Sequence, residues 1–311
     1  MALQPAPRAL VVGEALVDAV RHPDGSHAEH PGGSPANVAI GLGRLDRRVD
    51  LLTWLADDAH GDLVRAHLAA SHVHVLAGDR APERTPVATA DLDADGVATY
   101  HFDLTWDLPT SWAQDEGDPV VVHTGSIAAV LEPGGPAVAR LVERHRATST
   151  ITYDPNLRPA LMGSPAAAGP AVEHLVDLAD VVKVSDEDLA WLHPGVAPEQ
   201  VARDWVARGP ALVVVTLGGE GALAVTAGGA EVTVTAPRVT VADTVGAGDS
   251  FMAGLIDGLW TADLLGAPAR DRLRAIDAPT VERVLTRCAR IAAITVSRAG
   301  ANPPTTADLA G

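Results

Sequence analysis

The sequence predicts an α/β fold with a mostly parallel central sheet, because short apolar runs typical of buried strands alternate with helical patterns. Two further stretches fall outside this alternation and have the pattern of β-hairpins, which predicts a small second β layer. The predicted strands of the alternating part are 8–13, 50–55, 120–123, 150–153, 181–184 and 211–216. The predicted helices are a run ending at Leu45, 61–70, 135–146, 171–179 and 198–208.

The two hairpin-like stretches are residues 14–30 and 86–112. The first contains the turn sequence Pro23-Asp24-Gly25, and the second places Asp93-Ala94-Asp95-Gly96 between two alternating runs. We expect them to form a β lid beside the main sheet. Because the chain shows no internal repeat or linker, we expect a single domain over residues 1–311.

Composition and charge exclude several classes of function. The chain has 311 residues and 47% apolar content, enough for one large buried core. Its net charge of −17 argues against nucleic acid or an anionic membrane as a partner. No apolar run approaches the length of a membrane span, and the N-terminus lacks the pattern of a signal peptide. The single cysteine, Cys288, excludes an internal disulfide, so we expect a cytoplasmic protein. Cys288 lies on an apolar helical stripe, so we expect it to be a core residue.

The most informative stretch is residues 243–251, DTVGAGDSF. An alternating run over 232–241 precedes it and a helical pattern follows. A turn of small residues that opens a helix presents unpaired N–H groups, which suits a phosphate or a developing anion. A carboxylate there repels phosphate, so Asp249 is predicted to be a general base that takes a proton from an attacking hydroxyl. The alternative is that Asp249 caps the helix and the glycines only make a turn.

A second glycine-rich turn, PGGSPAN at residues 31–37, precedes an earlier helix. Gly32 and Gly33 would allow a ligand to approach the backbone closely. Asn37, on the first helical turn, could bond a ligand hydroxyl. A plain junction between loop and helix, with Pro35 near the first helical position, is the alternative.

Polar side chains also follow predicted parallel strands, at the edge where α/β proteins bind ligands. Arg158, in DPNLR, could neutralise charge on transferring oxygens. The acidic trio Asp186, Glu187 and Asp188 could hold Mg²⁺ through water. An acidic cluster that complements a helix dipole is the alternative.

The stretch TLGGEG at 216–221 offers a third such loop. Thr216, Gly218 and Gly221 could admit a nucleotide against bare backbone, or could form a simple β-turn. The chain has no Walker A lysine motif and no complete dinucleotide fingerprint. These absences argue against a P-loop NTPase and a nicotinamide enzyme.

Together these motifs resemble the ribokinase-like (PfkB) carbohydrate kinases over the whole chain. DTVGAGDSFMAGLI resembles the C-terminal signature of that family, and GGSPANVA resembles its N-terminal signature. HTGSIA, DPNLRP, KVSDEDL and TLGGEGAL follow in the expected order. Within the family, DPNLR and KVSDEDL are most similar to fructokinases.

The resemblance implies a three-layer α/β/α sandwich with a small β lid, and ATP and Mg²⁺ as cofactors. It implies Asp249 as the base and the backbone of Gly246, Ala247 and Gly248 as an anion hole. Sugar hydroxyls would be bound by Asp18, Gly33 and Asn37, with Gly32 shaping the turn. The nucleotide site would be lined by Lys183, Thr216, Gly218, Gly221 and Asn302. Asp243 would lie near a K⁺ site that some members have.

The chain departs from the family pattern at three places. Asp46 stands where Gly or Ser is usual, and Ala56 where a Gly is common. Ser185 and Asp188 replace a frequent Asn-x-x-Glu pattern. The shorter acid puts direct contact with Mg²⁺ in question.

We therefore expect ATP-dependent phosphorylation of a primary hydroxyl of a small neutral sugar, and D-fructose is the expected acceptor. The residues assigned to the sugar end are neutral or acidic, which favours an uncharged polyol: Asp18, Ser34, Asn37, Thr105 and Asp107. Ribose, 2-keto-3-deoxygluconate or a nucleoside would be alternative acceptors. A catalytically inactive sensor on the same fold is the non-enzyme alternative, although a sensor would not need Asp249. Pairing of two lids would give a homodimer.

Overall fold

The computed structural model describes residues 6–22, 24–92, 98–112 and 117–310. The strands are β1 (Ala9–Val12), β2 (Leu16–Arg21), β3 (His27–Gly32), β4 (Val49–Leu52), β5 (Val73–Val75), β6 (Val87–Leu92), β7 (Ala98–Asp103), β8 (Val121–Gly125), β9 (Thr150–Asp154), β10 (Val181–Ser185), β11 (Leu212–Thr216), β12 (Ala222–Thr226) and β13 (Glu231–Val234). The helices are α1 (Ser34–Arg44), α2 (Ala59–Ala69), α3 (Gly134–His145), α4 (Pro159–Met162), α5 (Pro165–Leu178), α6 (Asp186–Leu192), α7 (Pro198–Arg208), α8 (Ala247–Thr261), α9 (Arg270–Arg274), α10 (Ala278–Val296) and α11 (Thr306–Ala310).

The main sheet has nine strands in the order β13-β12-β11-β10-β9-β8-β1-β4-β5. Pairing is parallel from β5 through β11, whereas β12 runs antiparallel to both of its neighbours. In chain order, the first strand of this sheet is β1. Strands β4 and β5 then lie on one side of β1, and the strands from β8 onward lie on its other side. The boundary between β1 and β8 is thus the switch point where open α/β sheets bind ligands.

Helices cover both faces of this sheet, because its strands are apolar on both sides. The helices α1, α2, α8 and α10 pack on one face, and α3, α5 and α7 on the other. Each interface contains its own hydrophobic core. Cys288 of α10 is fully buried in the first core, as its apolar stripe predicts. The layers form the predicted three-layer sandwich.

A separate sheet of four strands lies in the order β3-β2-β6-β7. Its outer pairs are antiparallel and its central pair, β2 with β6, is parallel. The turn predicted at 93–96 and Pro23 lie outside the described residues. Trp106, expected in the second hairpin stretch, instead belongs to a core of the main body. Its indole N–H donates to the Ala128 carbonyl oxygen at 2.9 Å.

Two sequence expectations differ from the structure. The strand-like alternating run at 232–241 forms a strand only as far as Val234, because Pro237 has no N–H for a ladder and the side chains of Val239 and Val241 are exposed. The helix predicted from 171 begins at Pro165, where Ser164 caps it. Among the described residues, no helix is both long and apolar enough to span a bilayer.

Candidate active site

A cleft of about 560 Å³ lies between the small sheet and the carboxyl edge of the main sheet. Leu16, Ala88 and Phe102 contribute apolar surface from the small sheet, and residues 244–249 close the other end. Polar groups from the ends of strands and the starts of helices also line it: Glu14, Asp18, Ser34, Asn37, Ser126, Asn156, Arg158 and Asp249. The cleft therefore gathers most of the predicted sugar-site and catalytic residues.

The loop before α8 ends in a left-handed backbone conformation at Gly246. Gly246 has φ of 74°, and a Cβ there would lie 2.6 Å from the Ala301 Cβ, so only glycine fits. The helix begins at Ala247, and its first N–H groups have no carbonyl one turn earlier within the helix. Residues 246–249 of this turn line the wall of the cleft, and the Ala247 N–H donates to the Thr244 carbonyl oxygen at 3.3 Å.

Asp249 lies in the first turn of α8, 6% exposed. Its Oδ1 accepts from the Ser34 hydroxyl at 2.7 Å and from Asn156 Nδ2 at 3.2 Å, and its Oδ2 accepts from Asn37 Nδ2 at 2.8 Å. A carboxylate oxygen has two lone pairs, so one acceptor position remains on Oδ2. A hydroxyl in the cleft can donate to that position.

None of these three donors was predicted from the sequence to be a partner of Asp249, and Asn37 was expected to bind a sugar hydroxyl. Ser34 is separated from Asp249 by 215 positions, and only the fold brings them together. Asn156 has a left-handed backbone with φ of 37°, which points its amide nitrogen at both Ser34 and Asp249. Arg158 Nη1 donates to Asn156 Oδ1 at 2.7 Å and fixes that amide from the other side.

The other end of the cleft holds Asp18, which is exposed to the cleft in strand β2. Surrounding protein raises the pKa of Asp18, while Arg158 and His30 oppose this rise. A Cβ on Gly32 would lie 2.1 Å from Asp18 Oδ2, so this glycine makes room for the carboxylate. The positive φ belongs to Gly33, at 104°, where a Cβ would lie 2.5 Å from the Glu14 carbonyl oxygen.

A second carboxylate, Glu14, lines the cleft where the chain passes from β1 to β2. It is 4% exposed, and its Oε2 accepts from the Ala128 N–H at 3.2 Å. Burial raises the pKa of Glu14 to about 7, against the lowering influence of a hydrogen bond with Ser126. No sequence motif singled out this residue.

Lys183 lies deeper than the predicted nucleotide site. Its Nζ is 3.0 Å from Asp154 Oδ2, and both side chains are almost fully buried. Burial raises the pKa of Asp154 to about 6, although Lys183 acts against that rise. Burial, together with the same ammonium, lowers the pKa of His123 to about 3, so the imidazole stays neutral. A Cβ on Gly248 would lie 2.9 Å from Lys183 Nζ, which places the cation directly behind the turn that opens α8.

The other residues predicted for the nucleotide site lie beyond the main cleft. Thr216 ends β11 beside Ser185, and Gly218 has φ of 54° with open space around it. A Cβ on Gly221 would lie 1.9 Å from the Val234 carbonyl oxygen, so close strand packing already requires that glycine. Asn302 accepts a hydrogen bond from Arg44 Nη1 at 2.5 Å.

The two acids predicted near cations are held by backbone amides. Asp188 Oδ1 accepts from Leu157 N–H at 3.0 Å, which ties the start of α6 to the DPNLR loop. Asp243 accepts from Val245 and Gly300, at 3.0 and 2.9 Å, and these bonds lower its pKa. Within the part of the chain that the structure describes, no group of three or more His, Cys, Asp or Glu could hold a metal ion.

The family model for "pfkB family carbohydrate kinase" matches residues 6–308. The chain belongs to the pfkB family. It is 35% identical over 270 residues to a fructokinase of Rhizobium leguminosarum bv. trifolii, covering 82% of this chain and 81% of that protein. It is 33% identical over 257 residues to a fructokinase of Klebsiella pneumoniae, covering 80% and 83%.

A solved structure gives the same assignment. A fructokinase double mutant of Vibrio cholerae O395, in its fructose-, ADP- and potassium-bound form, matches with a TM-score of 0.78 and 26% identity. The match covers 98% of this chain and 97% of that chain. The predicted resemblance and the predicted fold of the pfkB family are both confirmed.

Two departures from the pfkB pattern have a local explanation. Asp46 has φ of 60°, a left-handed conformation that Gly adopts freely and Asp tolerates. Ser185 caps α6, its hydroxyl accepting from the Asp188 N–H at 3.0 Å, so it replaces Asn with another good cap. The structure offers no account of Ala56 beyond its burial and its N–H bond to Thr85.

Proposed function

We propose that this protein transfers the γ-phosphoryl group of ATP to a primary hydroxyl of D-fructose. The observation that carries the proposal is the buried Asp249, which keeps one acceptor position on Oδ2 beside the N–H groups that open α8. A base and an anion site in one helical turn are what in-line attack by a hydroxyl on a phosphoryl group requires.

Each residue of this turn has a separate task. Asp249 orients the attacking hydroxyl and removes its proton, while Ser34, Asn37 and Asn156 hold the carboxylate in place. The backbone of Gly246, Ala247 and Gly248 donates hydrogen bonds to the phosphoryl oxygens. Arg158, at the rim, adds a positive charge where the phosphoryl group passes.

We place the nucleotide beyond the α8 turn, along Thr216, Gly218 and Asn302, with Gly221 shaping the loop. The open backbone at Gly218 supports this placement. Mg²⁺ would be held beside Asp188, a partly buried carboxylate at the sheet edge, mainly by ATP oxygens and water. Bound there, the ion would neutralise charge on the phosphates.

Several features favour a neutral acceptor. Of the described residues lining the cleft, Arg158 alone is a lysine or arginine, whereas Glu14, Asp18 and Asp249 are acidic. A sugar acid or sugar phosphate would need more cationic partners at that end. The choice of fructose is supported by the fructokinase relatives.

Three further assignments belong to the same proposal. Asp243 supports a K⁺ site, as the potassium-bound fructokinase relative suggests. The outer face of the small sheet pairs with a second copy to give a homodimer. A cytoplasmic location, where ATP is available as a substrate, is the third assignment.

A coupled assay of ADP release over a panel of acceptors tests the function. We expect kcat/KM for D-fructose to exceed that for ribose, glucose, fructose 6-phosphate and 2-keto-3-deoxygluconate at least tenfold, which needs about 1.4 kcal/mol of differential binding. A preference for 2-keto-3-deoxygluconate would mean that Arg158 or Arg21 binds its carboxylate. A preference for ribose would change the acceptor and keep the mechanism. Sugar binding without any ADP release would establish a sensor.

A further inference from the structure

Glu14 is a buried carboxylate of the cleft that the mechanism above does not use. It lies after β1, separated from it by Gly13, and the turn at residues 126–129 follows the neighbouring strand β8. Glu14 therefore lies at the switch point of the main sheet, where the chain crosses to the small sheet. Its Oε2 is held by the Ala128 N–H, in a turn that Ser126 enters with a left-handed φ of 56°.

A structural role alone does not require an acid at this position. The Ala128 N–H and the Ser126 hydroxyl bond this side chain, and a glutamine amide could serve both, its oxygen accepting from Ala128 and its NH₂ donating to the Ser126 oxygen. Burial makes the ionised carboxyl unfavourable and raises its pKa to about 7. Asp249, by contrast, is buried with three side-chain donors around it. Glu14 has the electrostatic cost of a buried carboxylate, and its two oxygens offer about four acceptor positions, which leaves room for a ligand donor beside Ser126, Ala128 and its own N–H.

We propose that Glu14 accepts a hydrogen bond from a hydroxyl of the acceptor sugar, as a second binding carboxylate alongside Asp18. The proposal rests on the sugar-kinase function above and names a specificity residue for it. Both acids line the same cleft, and Arg158 acts electrostatically on both. A polyol that donates to two carboxylates is distinguished from analogues that lack either hydroxyl, because a buried acceptor would then be left unpaired.

The test is a thermodynamic cycle between Glu14 and the sugar hydroxyls. Calorimetric affinities of wild type and Glu14→Gln are measured for D-fructose and for each of its monodeoxy derivatives. In wild type, removal of the hydroxyl that Glu14 binds should weaken binding at least about tenfold. In Glu14→Gln the one carbonyl oxygen is needed by Ala128, so removal of the same hydroxyl should weaken binding less than about threefold. Glu14→Ala should show the same loss of coupling.

Controls separate this result from a general defect. Glu29→Gln, in the exposed part of strand β3, should keep the wild-type response to every derivative. ATP affinity and thermal stability of Glu14→Gln should show that the fold is intact. The proposal would be overturned if every deoxy derivative lost the same affinity in wild type and variant. It would also be overturned if the variant bound ATP and fructose equally more weakly than wild type. A wild type that binds fructose but releases no ADP would instead refute the proposed function and leave the Glu14 cycle interpretable.

Discussion

Lys183 Nζ lies 3.0 Å from Asp154 Oδ2, and both groups are buried beneath the turn that opens α8. The ammonium is close enough to Gly248 that a Cβ there would lie 2.9 Å from Nζ. In the proposed function the turn that opens α8, here called the anion turn, binds the phosphoryl group, and a positive charge in this poorly hydrated environment would act strongly on it. Direct contact between Lys183 and a nucleotide would require the ligand to reach a side chain that is only 3% exposed.

Substitution of Lys183 should separate stability from catalysis. Lys183→Met leaves Asp154 buried without its partner, so we expect the free energy of unfolding to fall by about 3 kcal/mol or more. Loss of the cation behind the anion turn should also lower kcat at least about tenfold. Denaturant unfolding and steady-state kinetics measure the two effects. The double variant Lys183→Met/Asp154→Leu should regain stability but not kcat; recovery of both would make the pair purely structural.

Gly248 provides a gentler test of the same arrangement. Gly248→Ala pushes a methyl group against Lys183 Nζ and should displace either the ammonium or the turn. We expect a folded protein with kcat lowered at least about tenfold and nearly unchanged sugar affinity. Gly228→Ala is the matched control, because a Cβ there meets nothing closer than 3.8 Å. Wild-type turnover by folded Gly248→Ala would place the anion site elsewhere.

Asp249 should be needed for chemistry and not for binding. Asp249→Asn keeps the size of the side chain and cannot accept the proton, so kcat should fall by about 10²–10⁴ while fructose and ATP still bind. Asp263→Asn, after the other end of α8, serves as the control because its left-handed backbone suits Asn equally. Calorimetry and ADP release distinguish binding from turnover. Near-normal turnover of a folded Asp249→Asn enzyme would remove the assignment of the base.

The fold and the location of the site were largely predictable because their signals are local. Strand–helix alternation indicates a parallel sheet, and loops at the carboxyl ends of parallel strands meet at one edge. The run at 232–241 misled because alternation alone does not show that Val239 and Val241 stay exposed. The donors to Asp249 were not predictable as such, because Ser34 and Asn156 reach it only through tertiary packing.

The same limit applies to buried charge. Lys183 and Glu14 carry no local sign of their depth, and the pKa of Glu14 depends on packing from residues more than a hundred positions away. Gly221 is the opposite case, in which the sequence suggests a ligand site and the structure gives a packing reason. Its place in a glycine-rich loop suggests ligand contact, yet strand β13 already excludes any Cβ there.

The small sheet should close on the sugar. Strands β2, β6 and β7 place Asp18, Ala88 and Phe102 against the cleft, so a bound sugar would tie this sheet to the main body and exclude water from the phosphoryl group. Hydrogen exchange followed by mass spectrometry should slow over 16–21 and 87–92 when fructose binds. Exchange over α7, on the far side of the main sheet, should not change. Unaltered exchange in the small sheet at saturating sugar would contradict closure.

Glu14 should impose a pH dependence on stability. Its pKa is about 7 in the folded protein against an ordinary value of 4.5, so the folded state holds a proton that the unfolded state releases between these pH values. The free energy of unfolding therefore falls as pH rises through this window, by about 3 kcal/mol in all. Glu14→Gln has no such titration. Between pH 4.5 and pH 8, the free energy of unfolding of Glu14→Gln should therefore rise by about 3 kcal/mol relative to that of wild type.

Urea unfolding of both proteins across that range measures the difference, and taking the difference cancels the titrations that the two proteins share. Glu29→Gln should track the wild type, because Glu29 is exposed. A difference that stays flat with pH would mean that Glu14 keeps an ordinary pKa. The electrostatic cost that argues for a sugar hydroxyl at Glu14 would then disappear, although the thermodynamic cycle with deoxy sugars would still test the contact directly.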